Sequence, residues 1–303
     1  MKPVSIESIP VNRVLHPFPK VVIFEIVCGC NLSCIMCPQP KMTRPKGLMD
    51  LSLYQRLTKE VAMNDPETEV WATIMGEVFV YKDLVFDYLR FAKHEAKLKK
   101  VYLNSNLVLF REEWIDRLEE SGLDKITVGI DAATESTYDR IRVGGDFRAV
   151  ERNIHALMEA KSRGRLQSLE IILQFIVQDE NQHEEELFKR KWTGRGATIK
   201  IRQKLGWGLG VNADNLAIPN SERSIPCPWL MRTMSIHWTG QAAQCDAEWN
   251  GDRYVGDLNK QTIQEVWLGQ LRTKRERHLA NDFDFDPCRD CRDWQCGRAE
   301  FYH

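Results

Sequence analysis

No stretch of this 303-residue chain approaches the roughly 18 consecutive apolar residues of a membrane helix, so no span is expected. The first residues, Met1 to Arg13, lack the apolar core of a signal peptide, and the cytoplasm is the expected location. Charge of one sign is not in excess. The 42 Lys and Arg face 43 Asp and Glu, which excludes a strong field directed at nucleic acid or an anionic membrane; neither is expected as a partner. Internal repeats and low-complexity blocks are absent. What is there, 43% hydrophobic and 28% charged, is an ordinary globular composition. The length suits one large α/β domain with an appendage, or two modest domains.

Cysteine is missing over residues 38–226, although the chain has nine. Cys28, Cys30, Cys34 and Cys37 lie near the start; Cys227, Cys245, Cys288, Cys291 and Cys296 lie in the last third. A disulfide framework is not expected at this size and in this compartment, and an odd number does not pair completely. Two clusters of soft ligands point to two metal centres.

Between and around these groups the chain alternates. VVIFEIVCG (21–29) is apolar and β-branched and predicts a buried strand. After the cysteine loop, Asp50 is placed to cap a helix over LSLYQRLTKEVA. Strands are predicted over 70–76, 101–106, 125–131, 169–177 and 197–203. Helices are predicted over 84–97, 111–122, 147–164 and 181–192, with Gly122 and Gly164 as stops. About six βα-type repeats imply a parallel sheet, open and doubly wound or curved into a barrel. In βα barrels the chemistry sits at the C-terminal ends of strands, where the first cysteine loop falls. Past residue 205 the texture changes. GWGLG and the stretch 212–228 read as a linker, 234–238 and 241–245 as a hairpin, and 262–280 as one helix before a tail rich in Cys and Asp.

Three cysteines, Cys30, Cys34 and Cys37, within one short loop can hold three corners of an iron–sulfur cubane and leave the fourth iron open. A zinc site normally shows CxxC pairs and a fourth ligand; Asp, Glu and His are absent between Cys30 and Met42. CNLSCIMCP (30–38) resembles the CxxxCxxC signature of the radical S-adenosylmethionine (SAM) superfamily, including Asn31 and Pro38. That resemblance implies a partial (β/α)6 TIM-like barrel over residues 1–205. IMGEVF (74–79) resembles the second-strand motif, usually GGEP, with Met75 and Val78 in place of its first Gly and its Pro. By resemblance, Met75, Gly76 and Glu77 hold the SAM amino group. LNSN (103–106) resembles the third-strand motif and brings Asn104 and Asn106 to the cofactor. GIDAATESTYDRIRVGG (129–145) resembles the fourth strand and following helix, with Gly129 where a ribose-contacting Ser is common. Asp131 and Arg142 are then candidates for SAM contacts. A guanidinium suits the SAM carboxylate because it binds in bidentate fashion. Gln174, on the fifth strand, is a further candidate. Cys28 is expected to be a packed thiol.

On spacing alone the second cysteine group fits a structural zinc site or a fully ligated cubane equally well. CPW (227–229), Gly240-x4-Cys245 and Cys288-x2-Cys291 resemble the twitch module, a shortened SPASM domain, over roughly residues 225–297. The resemblance implies an auxiliary-cluster domain over 206–303, with Cys227, Cys245, Cys288 and Cys291 as ligands. Cys296 is left over as a substitute ligand, an inert thiol or a hydrogen donor.

The resemblance further implies two [4Fe-4S] clusters, one SAM-binding and one auxiliary, and cleavage of SAM to a 5′-deoxyadenosyl radical that takes hydrogen from carbon. Two-electron oxidation of a sugar, an aminocyclitol or a similar small polar molecule is the leading expectation, with the auxiliary cluster as electron acceptor. An electron donor such as flavodoxin or ferredoxin is implied as a partner. Arg202, Lys204, Asp246 and Glu248 are candidate bases or substrate contacts. Epimerisation through Cys296 or Cys28, and peptide maturation, are the alternatives. Asp246 beside the GxxxxC cysteine counts against the first. The early position of Cys30, which leaves no room for a leader-binding domain, counts against the second. A non-enzymatic electron carrier lacks any need for the SAM-like motifs.

Overall fold

The computed structural model describes residues 5–8, 13–214, 216, 218, 220–295 and 298–303. Strand β1 is Ser5–Ser8, β2 Val21–Phe24, β3 Val27–Cys28 and β4 Gly47–Leu48. Strands β5 (Glu69–Trp71), β6 (Lys100–Ser105), β7 (Lys125–Gly129), β8 (Glu170–Val177) and β9 (Thr198–Gln203) follow. The last third adds β10 (Thr233–Ile236), β11 (Gln241–Ala243), β12 (Tyr254–Asp257) and β13 (Arg298–Tyr302). Strands β2 and β5–β9 pair in parallel in chain order, with helices between them, which is the curved partial barrel.

The sheet has eleven strands in the order β1-β13-β9-β8-β7-β6-β5-β2-β10-β11-β12. Residues beyond 205 therefore add strands to both barrel edges. Strand β10 lies parallel to β2, and β13 runs antiparallel to β9.

Local chemistry explains most boundaries. Asp50 caps the helix Leu51–Asn64 by accepting from the Leu53 N–H at 3.0 Å. That helix buries Leu53, Tyr54, Leu57 and Val61, one face of the 3.6-residue period. Gly122, at φ +70°, stops the helix Ile115–Ser121 in the left-handed conformation that glycine adopts without strain. Phe147–Ser162 is capped by Asp146, and its buried Asn153 donates to the carbonyls of Leu107 and Phe110.

Several expectations are corrected. The predicted strand 21–29 breaks after Phe24, because Glu25 turns its buried carboxylate to Arg44, and the chain re-pairs as β3 with β4. The predicted helix 84–97 is preceded by a 3-10 segment from Val78 that is interrupted at Tyr81 and Lys82, and it carries a π-turn over Phe91–Glu95. The predicted helix 262–280 breaks at Gly269, where a Cβ would lie 2.8 Å from the Glu265 carbonyl oxygen, giving Ile263–Leu268 and Gln270–Leu279. Strands β1, β4, β12 and β13 have no counterpart among the predicted strands. Among the described residues, no helix is long and apolar enough to cross a membrane.

Candidate active site

The first cysteine loop leaves β3 and is held at its far side by the segment after the helix Glu135–Ile141. Ser33 donates to the Val143 carbonyl at 2.9 Å and Ile35 to that of Ile141 at 3.0 Å. Backbone donors address the sulfurs: Leu32 N–H to Cys30 Sγ at 3.4 Å and Gln39 N–H to Cys37 Sγ at 3.5 Å. Side chains add more. Asn106 Nδ2 lies 3.6 Å from Cys30 Sγ, and Arg142 Nη1 lies 3.6 Å from Cys34 Sγ. Burial pushes the Cys30 thiol up to about 12 and the Cys37 thiol up to about 11, and the neighbouring cysteines reinforce both shifts. Three thiols near enough to feel one another, ringed by N–H donors, fit the donor set of a cubane with an open corner.

The motif residues meet at the strand ends. A Cβ on Gly76 would sit 2.0 Å from the Val27 carbonyl oxygen, so only glycine allows the motif to dock on the loop after β3. The Glu77 N–H then donates to the Gly29 carbonyl at 2.8 Å. The Glu77 carboxylate is buried. It accepts from Ser105 Oγ at 2.9 Å, the Asn106 N–H at 2.6 Å and the Phe79 N–H at 3.2 Å. It thus ties the second strand end to the third. Burial raises its pKa, opposed by these hydrogen bonds.

Arg142 is fixed by an ion pair to the fully buried Asp131, whose other oxygen accepts from the Ile176 N–H at 2.7 Å. Asp131 stands behind Arg142 and is not part of the cavity wall, and Thr134 caps the next helix. Arg142 Nε is buried without an acceptor among the described residues. A buried donor left unpaired is costly, which fits an acceptor arriving with a ligand. A Cβ on Gly129 would meet Arg142 Nη2 at 2.3 Å, so the serine common at this position does not fit beside this arginine.

The second group gathers Cys227, Cys245 and the Cys288–Cys291 pair from three separate segments. The other three thiols all act on the Cys245 thiol, which burial already holds well above its ordinary value. Cys227 Sγ accepts from the N–H groups of Trp229 and Leu230, and Gln244 Nε2 donates to Cys288 Sγ at 3.4 Å. Four convergent thiols with such donors fit a fully ligated cubane. Reasoning from sequence missed Gln244, Arg223 and His278, which support this group; no spacing links them to it.

One cavity of about 760 Å³ runs from the first cysteine loop to Asp246, the neighbour of Cys245, and no cysteine of the second group lines it. Met75, Gly76, Glu77, Asn104, Asn106, Arg142 and Gln174 line its barrel half, with the first three cysteines. Arg202, Lys204, Trp207, Trp229 and Asp246 line the other half. Gln174 Oε1 accepts from Arg202 Nε at 3.0 Å, which aligns the guanidinium on the inner wall. Burial, reinforced by Asp293, pushes the Asp246 carboxyl up to about 6. Glu248 faces away and pairs with Arg253 at 3.2 Å. Cys28 is buried outside the cavity wall, 3.2 Å from Arg44 Nη1. Cys296 lies outside the described residues.

Comparison with known proteins agrees with this geometry. The radical SAM superfamily profile matches residues 24–189, and an iron-sulfur cluster-binding SPASM domain matches residues 227–292. The first match covers more than half of the chain, and the chain belongs to the radical SAM superfamily. It carries that family's cofactors: SAM, a SAM-binding [4Fe-4S] cluster and an auxiliary one. An AdoMet-dependent heme synthase of Methanosarcina barkeri (strain Fusaro / DSM 804) is 28% identical over 144 residues, 47% of this chain and 40% of that protein. The chain thus matches less than half the length of this curated relative. The structure of BtrN in complex with AdoMet and 2-DOIA is similar, with a TM-score of 0.64 at 16% identity over 90% of this chain and 93% of that one. Streptococcus suis SuiB bound to precursor peptide SuiA also has a TM-score of 0.64, at 15% identity over 85% of this chain and 66% of that one. At such identities the likeness is one of fold.

Proposed function

We propose that this radical SAM enzyme oxidises a small polar substrate, a sugar, aminocyclitol or similar alcohol, by two electrons. In this reading residues 1–205 form the SAM barrel and 206–303 the auxiliary unit. The supporting observation is the single cavity that reaches from the Cys30, Cys34 and Cys37 loop to Asp246, next to the second thiol group. Its volume lies within the roughly 300–1,000 Å³ usual for ligand sites.

When bound, SAM on the first cluster supplies a hydrogen-atom acceptor, and the auxiliary cluster, held by Cys227, Cys245, Cys288 and Cys291, supplies a one-electron acceptor. The chain's own groups position and protect. Arg142, braced by Asp131, holds the SAM carboxylate. Met75 and Gly76 present backbone to its amino group, while Glu77 fixes the strand ends around it. Arg202, aligned by Gln174, orients the substrate. Asp246 takes the hydroxyl proton on a carboxylate oxygen. Leu32, Met36, Ile176, Trp207 and Trp229 exclude water and stray hydrogen donors. The alcohol loses one hydrogen atom from carbon, one proton from oxygen and one electron, and becomes a ketone.

An anaerobic reaction in deuterated water with candidate sugars and aminocyclitols, under a flavodoxin or ferredoxin reductant, tests this. The expected product is lighter by two hydrogen atoms. A product of unchanged oxidation level carrying one deuterium would replace oxidation with epimerisation. That outcome needs a thiol donor at the cavity; Cys28 lies outside its wall, and Cys296 falls outside the described residues. Peptide maturation is a second reading, supported by the SuiB complex with its precursor peptide at the same TM-score as BtrN. A mass change on a peptide and none on small alcohols would favour it.

A further inference from the structure

Arg223 sits beside the second cysteine group with only 8% of its surface exposed. Its guanidinium lies over the Phe283 ring at 4.1 Å and near the Trp294 ring at 5.5 Å. Its Nε donates to the Ile225 carbonyl at 3.0 Å. Its Nη2 lies 3.4 Å from His278 Nδ1, which also accepts from the Cys227 N–H at 3.2 Å. One imidazole nitrogen thus registers the arginine against a proposed ligand. Among the described residues no carboxylate forms an ion pair with Arg223. The titratable groups that influence it are the sulfurs of Cys227, Cys288 and Cys291.

A buried guanidinium between two rings, without a carboxylate, needs a reason, because taking a charge out of water is expensive. A four-thiolate cubane supplies one: it is negative, and it gains a further negative charge on reduction. A cation held at short range in a poorly screened interior stabilises the more negative state most. The first cysteine loop shows the opposite arrangement. There Arg142 is neutralised by Asp131, and the buried Glu77 acts unfavourably on the Cys30 thiol.

We infer that Arg223 is the counter-cation of the auxiliary cluster and raises its reduction potential, so that it accepts an electron more readily than it otherwise would. This rests on the ligand assignment proposed above. Other charges bear on the same group. Asp246 acts on Cys245 and Asp293 on Cys291, both opposing Arg223, while Lys274 acts on Cys288 in the same sense as Arg223. Both Asp293 oxygens are already satisfied by the N–H groups of Gly206 at 2.6 Å and Gly208 at 3.0 Å. Arg223 is the buried cation of the set, which is why its removal should dominate. It is a positioning and tuning residue and touches neither the cavity nor the reacting atoms.

The test uses the full chain, reconstituted anaerobically, as wild type, Arg223→Gln and Arg223→Lys. Iron is counted, and both clusters are followed by electron paramagnetic resonance at a series of fixed potentials. In Arg223→Gln the auxiliary cluster's reduced-to-oxidised ratio at a given potential should fall at least tenfold, a shift of about 59 mV for one electron. The first cluster should not move, and Arg223→Lys should restore most of the ratio. An unmoved auxiliary potential with about eight irons bound per chain overturns the inference, as does an equal shift of both clusters. Loss of the second cluster's iron in both variants also overturns it, because the role is then structural. Wild-type protein holding about four irons and a zinc ion overturns the ligand assignment itself, and the inference with it.

Discussion

The two cysteine groups of this molecule are built in opposite ways. Cys30, Cys34 and Cys37 share one loop, and neighbouring backbone N–H groups address two of their sulfurs. Cys227, Cys245, Cys288 and Cys291 come from a helix start, a strand end and a tail, and only folding brings them together. The local group leaves its surroundings free to hold a cofactor. Its arginine, braced by Asp131, keeps a donor unpaired. The non-local group encloses its site, and its arginine, without a carboxylate partner among the described residues, is influenced by the group's own sulfurs. Sites made from one loop can carry reactivity without carrying the fold. Sites made from distant segments carry both.

The comparison can be broken by removing one thiol from each group. Cys34→Ala should reduce SAM cleavage to background while the thermal midpoint of the reconstituted protein changes little; a large drop in that midpoint would erase the contrast. Cys245→Ala should do the reverse. It should lower the midpoint by several degrees, since structural metal sites contribute folding energy, and leave SAM cleavage under dithionite uncoupled from substrate oxidation. If iron analysis shows the second cluster gone and the midpoint unmoved, the non-local group is not structural.

A gentler change sharpens the description of the local group. Gly129→Ser places a Cβ 2.3 Å from Arg142 Nη2. The guanidinium must leave Asp131 or shift off the cavity wall. SAM affinity should weaken by roughly tenfold, the loss of about one charge-assisted hydrogen bond, with the iron content of the first cluster intact. Calorimetric titration of SAM under anaerobic conditions reads this directly; unchanged affinity would detach Arg142 from SAM.

At neutral pH the smallest effect is expected beside β10, where only acid brings it out. His237 is buried against Tyr254, and burial, helped by Arg44, pushes its pKa from 6.5 down to about 3. The unfolded chain therefore binds a proton at this residue below pH 6.5 that the folded chain refuses until about pH 3. Stability is lost as pH falls through that window, by at most tenfold in the folding equilibrium per pH unit. His237→Gln should make acid unfolding shallower across it. An identical slope for the variant would mean that carboxylates alone account for the acid sensitivity.

What the sequence disclosed follows the same division between near and far. The first loop was legible because its residues are neighbours in the chain. So were the Asp50 cap and the Gly122 stop, which act over a single helical turn. The strand-end motifs were legible as resemblances, and the cavity wall includes each SAM-contact candidate drawn from them except Asp131, which the fold places behind Arg142. Illegible were contacts between distant positions. Glu25 reaches Arg44 and the Trp238 N–H, Arg223 reaches His278, and Asp293 reaches the linker glycines. No period or spacing announces these pairs, because each depends on the path of the intervening chain. Strand β13 escaped notice for the same reason: five residues after a Cys- and Asp-rich tail become a strand only because β9 offers an open edge.

That edge has a practical corollary. A parallel sheet that stops at β2 on one side and β9 on the other exposes two rows of unsatisfied amide and carbonyl groups, each a template for another chain. Strand β10 covers one row and β13 the other. Cutting the polypeptide after residue 205 would uncover both at once, so the excised barrel should precipitate or self-associate. The terminal third is the selvedge of the cloth, woven on so that the fabric does not unravel.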